Sequence, residues 1–239
     1  MTDAARQAEL SALVAETAAL LDTARSLDDA ALREPSLCQG WTRAHVLSHL
    51  WHGADALGRL VTSAETGTAT PLYASPESRA AEIEEGARAD RQTLLDQLSA
   101  ACDRLATALA GMGPDALAAE VPLRGTTVAG SRLAWVRRRE VGFHHVDLRA
   151  GYTFSDVDPA LAESCLADLV DRYRANPATP SLSLRTDEGD VYAIGDGRPV
   201  VSAPRAGMLL WTARGVPDGI DAPPADQLPT LPSLEVAKP

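Results

Sequence analysis

Apolar residues recur along the first two thirds of the chain at the three-to-four spacing of helices that bury one face. Leu10, Leu13, Val14, Thr17, Leu20, Leu21 and Ala24 predict an amphipathic helix from about Asp3 to Arg25. Ser26, with Asp29 three residues on, marks a weak cap for a short helical turn. Thr42 has the side chain of an N-cap for a second helix to about Ala64, with Val46, Leu50, Ala54, Leu57 and Val61 as its stripe. Ser75-Pro76 starts another segment, because proline in the first helical position gives up no hydrogen bond; acidic around Glu82, Glu84 and Glu85, it is helical or loop-like to about Gly86. From Asp90 the pattern firms into a third long helix through Leu94, Leu98, Cys102, Leu105 and Leu109, stopped by Gly111-Met112-Gly113-Pro114. Val121 to Val128 reads as an irregular or extended link, and a fourth helix follows from about Ser131 to Arg149, closed by Gly151.

After a turn-rich linker around Tyr152 to Val157, Asp158-Pro159 begins a helix through Leu161, Cys165, Leu169 and Tyr173. Beyond Asn176-Pro177 the period changes to two, predicting short strands at Ser181–Arg185, Asp190–Ile194 and Arg198–Ser202. A helix from Pro204 to about Arg214 and a proline-rich tail from Pro217, extended over the surface, complete the chain. The expected fold is mainly α with a smaller α+β part: a four-helix bundle over residues 1–154, then a small α+β domain with a proline-rich C-terminal tail over 155–239.

Charge narrows the range of partners. A net charge of -11 over 239 residues opposes a nucleic-acid partner, because neutralising phosphates needs a clustered basic surface. The one basic cluster, Arg137-Arg138-Arg139, reads as a solvated face, as internal salt bridging or as help in binding an anionic substrate. No apolar stretch is long enough to span a bilayer, and the N-terminus lacks the pattern of a signal peptide, so a cytoplasmic protein with no membrane partner is expected. Cys38, Cys102 and Cys165 are odd in number and far apart, and form neither a disulfide framework nor a metal or redox motif.

The five histidines fall in two stretches: His45, His49 and His52 on the second helix, His144 and His145 on the fourth. Glu140 and His144 are four apart and share one helical face. Two facing helices could thus supply two histidines and a glutamate to one metal and leave a coordination position open. His49 borders the apolar stripe and is favoured over His45, in the first turn, and His52, displaced around the axis. The alternative is a buried ion pair of Glu140 with Arg43, Arg137 or a protonated His49. A di-iron bundle would need Glu-x-x-His pairs, but Phe143 stands three after Glu140 and the second helix has no glutamate before Glu65. A single metal is therefore expected; nitrogen and carboxylate donors suit zinc, and iron or nickel can use the same set.

Gly40-Trp41-Thr42-Arg43-Ala44-His45-Val46-Leu47-Ser48-His49-Leu50, Thr70-Pro71-Leu72-Tyr73-Ala74-Ser75-Pro76-Glu77-Ser78-Arg79 and Arg139-Glu140-Val141-Gly142-Phe143-His144-His145-Val146-Asp147-Leu148 resemble the mycothiol-dependent maleylpyruvate isomerases, within the wider DinB-like group of metal-binding four-helix proteins. The resemblance continues through Gly207 to Gly215. It implies a DinB-like bundle, zinc ligands His49, Glu140 and His144, and an active-site arginine, Arg214, supplied by the second domain. It also implies mycothiol as cofactor and maleylpyruvate as substrate, converted to fumarylpyruvate in gentisate breakdown by reversible thiolate addition. Lys238 is the only lysine among 22 basic residues, a bias of G+C-rich genomes that agrees with an actinobacterial thiol. Two other readings are a mycothiol S-transferase, which would keep the thiol in its product, and a non-catalytic bundle with a structural metal.

Overall fold

Each apolar stripe of the first two thirds of the chain becomes a wall of a helical bundle. The computed structural model describes residues 2–123, 125–220, 228–232 and 234. In it α1 is Asp3–Ser26, α2 Asp29–Leu32, α3 Arg43–Thr66, α4 Pro76–Arg88, α5 Arg91–Gly111, α6 Pro114–Ala118 and α7 Leu133–Asp147. Helix α3 packs on α4, α5 and α7, while α1 packs on α5 and α7, so α1, α3, α5 and α7 make the four-helix bundle. Leu20, Leu47, Leu50, Leu60, Leu98 and Leu133 form its fully buried centre.

Caps fix where these helices begin. Thr42 accepts the His45 N–H while the His45 ring receives the Thr42 N–H, a reciprocal box that starts α3. Ser75 and Ser78 do the same for α4, with Pro76 at its first position, and Asp90 accepts from Thr93 at the head of α5. Gly67, at a left-handed φ of 68°, ends α3. The short turn near Ser26 is capped by Asp28 instead, whose carboxylate accepts from Ala31.

Other expectations change. Pro114 does more than stop α5: as the first residue of α6 it starts a new turn. The link that follows is a hairpin in which β1 (Glu120–Leu123) pairs antiparallel with β2 (Thr126–Ala129), turning at Gly125 with φ 84°. Helix α7 is preceded by a 3-10 turn over Gly130–Arg132 and ends at Asp147 rather than Arg149. Arg149 takes a left-handed φ of 50°, and Arg43 of α3 donates to the carbonyls of Leu148 and Arg149, satisfying groups that the helix end leaves free.

The described chain divides into two compact units, within Met1–Ala150 and Gly151–Lys238. The second contains α8 (Pro159–Ala175), β3 (Leu182–Thr186), β4 (Val191–Ile194), β5 (Val200–Ala203) and α9 (Arg205–Arg214). Its sheet has the order β4-β3-β5, antiparallel on one side of β3 and parallel on the other. Leu182, Leu184 and Thr186 are buried while Arg185 is exposed, the alternation of a strand covered on one face. Tyr173 on α8 donates its hydroxyl to the Thr212 carbonyl on α9 at 2.6 Å. The fold class is therefore mainly α with a smaller α+β part. Of the proline-rich tail, residues 221–227, 233 and 235–239 lie outside the described residues; Arg172 donates to the Leu234 carbonyl. Among the described residues, no helix is long and apolar enough to cross a membrane.

Candidate metal centre

The three histidines of α3 have separate surroundings. His49 is buried and faces α7, where its Nε2 lies 3.3 Å from Glu140 Oε1 and its ring meets the His144 ring edge-on at 4.7 Å. One ligand atom from each of His49, Glu140 and His144 lies within 4.8 Å of the others. His45, by contrast, is engaged in the cap of α3, and its Nε2 meets Glu84 at 3.0 Å, a hydrogen bond that holds the Glu84 carboxyl below its usual range. His52 stacks on Trp51 at 4.3 Å and lies 3.7 Å from Glu82. His145 turns toward α1, with Nε2 2.8 Å from the Thr23 hydroxyl and Nδ1 3.6 Å from Glu16. Among the described residues, none of these three belongs to a metal-capable group.

Close approach of α3 and α7 depends on Gly53, one helical turn beyond His49. A Cβ there would lie 3.3 Å from Glu140 Oε1 and 3.4 Å from Arg137 Nη1, so glycine leaves room for that ion pair. Arg137 is 1% exposed, deep enough that its charge needs a partner. It donates to Glu140 Oε2 at 2.9 Å and to the Leu50 carbonyl at 2.9 Å, with Cys102 Sγ at 3.6 Å. Arg138 pairs with Glu9 at 2.9 Å. For these two residues of the basic cluster, internal salt bridging is the reading that fits. Arg43 does not serve Glu140; it pairs with Glu34 at 2.6 Å and holds the end of α7. The ion-pair and metal readings meet at one carboxylate, which turns Oε2 to Arg137 and Oε1 to His49.

Burial lowers the His49 pKa to about 4 against the opposing hydrogen bond to Glu140, so the ring is neutral at pH 7. Arg79 Nη2 lies 3.4 Å from His49 Nδ1. A guanidinium can only donate, so Nδ1 accepts and the ring proton sits on Nε2, facing Glu140. Burial alone would push the Arg137 guanidinium down, but the Glu140 carboxylate and the Cys102 sulfur together outweigh it and raise the pKa. Two imidazoles and a carboxylate are a donor set for a borderline cation, and Glu140 and His144, each 16% exposed at the side chain, keep the solvent access that an open coordination position requires. The residues fit a catalytic metal.

Sequence spacing gave no role to Asp147, Cys38 or Arg79. Asp147 Oδ2 lies 2.8 Å from His144 Nδ1, and the Cys38 thiol donates to the same oxygen at 3.2 Å. Cys38, His144 and Asp147 thereby form a second metal-capable group, which uses a single cysteine and which the spacing of the three cysteines does not mark. Asp147 stands three residues after His144 on one helical face, a signal present in the sequence; nothing local marks Cys38 or Arg79. Arg79 and Arg59 each lie 5.7 Å from the centre of the Tyr73 ring. Arg214 ends α9 in the second unit, half-buried, with Nη1 donating to the Ala213 carbonyl at 2.8 Å. A separate groove of about 130 Å³ between α1 and α5 touches the candidate centre only through Arg137.

Residues 13–149 match the family model of the mycothiol maleylpyruvate isomerase N-terminal domain. The chain belongs to the mycothiol maleylpyruvate isomerase family of enzymes. Two crystal structures, one of a mycothiol-dependent maleylpyruvate isomerase and one of a histidine-to-alanine mutant of that enzyme, each align with a TM-score of 0.89, at 31% and 30% identity. Each alignment covers 95% of this chain and 96% of the other, so likeness to the maleylpyruvate isomerases extends through both units. A search of curated proteins finds no significant match.

Proposed function

We propose that the chain is a zinc- and mycothiol-dependent cis-trans isomerase that converts maleylpyruvate to fumarylpyruvate in gentisate breakdown. The observation that carries this reading is the convergence of His49, Glu140 and His144 within 4.8 Å, in a chain with the fold of the family. Zinc held by these three residues would supply Lewis acidity toward a thiol sulfur or a carbonyl oxygen. The chemistry that mycothiol supplies is reversible addition of sulfur to the conjugated double bond, leaving a single bond free to rotate before elimination.

The chain's own groups prepare this chemistry. His49 is neutral, so it offers a lone pair without first losing a charge-bearing proton. Arg137 balances the Glu140 carboxylate and fixes one of its oxygens, leaving the other directed at His49. Were a metal held through the ring nitrogen that faces Glu140, the His49 proton would have to reside on Nδ1 instead, and Arg79 would lose its acceptor. Arg79 has no carboxylate partner among the described residues, and its guanidinium is then free to hold a carboxylate of the substrate through paired hydrogen bonds. Arg214 is the second proposed carboxylate-binding cation, on the strength of the family resemblance; its place in the last turn of α9 also suits stabilisation of that helix end.

The test follows maleylpyruvate absorbance with and without mycothiol, and before and after treatment with a chelator. Turnover is expected to require both metal and thiol, with the thiol returned unchanged. Stoichiometric loss of thiol would replace the isomerase by an S-transferase, and turnover that survives complete metal removal would take zinc out of the account. In the same assay Arg79→Ala is expected to raise KM by about 10-fold or more, the worth of one charge-assisted hydrogen bond.

A further inference from the structure

His144 is held by two buried residues that the proposed chemistry leaves unused. Its Nδ1 lies 2.8 Å from Asp147 Oδ2, and the Cys38 thiol donates to that same oxygen at 3.2 Å. The grip extends to the backbone, where the Leu37 N–H donates to the Asp147 carbonyl at 3.0 Å. Asp147 has no solvent exposure and Cys38 is buried, so both supporting residues are shielded from water.

Because Oδ2 accepts from both neighbours, the His144 ring proton belongs on Nδ1, and Nε2 presents its lone pair away from Asp147. That is the tautomer a metal-binding histidine needs when the metal lies on the far nitrogen. The competing use of the same atoms is as ligands, since Cys38, His144 and Asp147 also lie close enough to hold an ion. Binding there would use His144 Nδ1, break the 2.8 Å hydrogen bond and expel the thiol proton inside a buried pocket. The hydrogen bonds already satisfy all three groups, which favours orientation over ligation.

We propose that Asp147 is a positioning residue that fixes the tautomer and direction of His144, and that Cys38 locks Asp147 in place, the three acting as a support for the metal group and not as part of it. The proposal rests on the reading of His49, Glu140 and His144 as the metal ligands.

The experiment measures zinc affinity of the full chain by competition with a chromophoric chelator, for wild type, Asp147→Ala, Asp147→Asn, Cys38→Ser and His49→Ala. It also records the absorption spectrum of each cobalt-substituted protein. Asp147→Ala is expected to lose about 10–100-fold in zinc affinity, with Asp147→Asn retaining part of it and Cys38→Ser losing less than about 10-fold. Wild-type cobalt protein is expected to show ligand-field bands that shift in both Asp147 variants, with no sulfur-to-cobalt charge-transfer band. Such a band in the wild type, lost in Cys38→Ser, would make Cys38 a ligand and overturn the proposal. If His49→Ala weakens zinc binding but Asp147→Ala does not, the support role fails while the ligand set stands. If wild type takes up no zinc, both fail together.

Discussion

Helix α7 turns one polar face toward α1 and another toward α3, and both faces are largely buried. On the α1 side Arg138 meets Glu9 at 2.9 Å and the His145 Nε2 meets the Thr23 hydroxyl at 2.8 Å, contacts that close in local pairs. On the α3 side Glu140 divides its two oxygens between Arg137 and His49, and His144 brings a second imidazole to the same point. Burial of polar groups is common to both faces and identifies neither. What separates them is convergence: groups that pair off support packing, whereas three potential ligands within reach of one another and partly open to water can hold an ion.

Metal binding should divide the two faces most sharply. His49→Ala, Glu140→Ala and His144→Ala are each expected to lose more zinc affinity than the about 10–100-fold typical of an outer partner. His145→Ala is expected to bind zinc like the wild type, though it shares the helix and is next in sequence to His144. Chelator competition on the four purified variants makes the comparison, and equal zinc loss in His145→Ala would place the α1 face within the centre.

The difference between these faces was only partly legible in the sequence. Periodicity and caps located α3 and α7, because Thr42, the Leu50-centred stripe and Gly67 all act through neighbours within one or two turns. The i to i+4 relation of Glu140 and His144 is likewise local. Hairpin β1–β2 was missed because two four-residue strands, one holding Pro122, carry too little alternation to stand out. Arg79 meeting His49, and Cys38 meeting Asp147, depend on how elements pack across 30 and 109 positions of sequence, which no local pattern encodes. Whether Arg137 served solvent, substrate or Glu140 was undecidable until α3 supplied the Leu50 carbonyl and the space at Gly53.

The two arginines offer a sharper, smaller contrast. Arg137→Met leaves the Glu140 charge and the Leu50 carbonyl without their buried partner, and is expected to destabilise the metal-free chain by about 3–5 kcal/mol. Arg138→Met strands Glu9, whose side chain is 19% exposed and can recover some hydration, so about 1–3 kcal/mol is expected. Denaturation midpoints measured with and without zinc test both. Zinc should recover part of the loss in Arg137→Met, because a cation at the site compensates Glu140, and should leave the loss in Arg138→Met unchanged.

The effect spread over the widest range of conditions is a pH dependence that belongs to the α3 side. His49 has its pKa lowered by burial from 6.5 to about 4 in the folded chain. Above pH 6.5 neither the folded nor the unfolded chain carries its proton, and this residue adds no slope. As pH falls from 6.5 toward 4 the unfolded chain takes up a proton that the folded chain refuses, so stability declines across that window. The decline levels off below pH 4, at a total of about 3 kcal/mol. Saturating zinc is expected to add to the decline, since on the proposed ligand set it would bind the folded form and compete with the same proton; the zinc-dependent part of the stability should fade as the site is acidified. Denaturant titrations of metal-free wild type and His49→Gln at a series of pH values isolate the contribution as the difference between two curves. A wild-type slope between pH 6.5 and 4 that persists undiminished in His49→Gln would assign the proton uptake to another group and remove the electrostatic distinction between the faces, even if the ligand variants behave as expected.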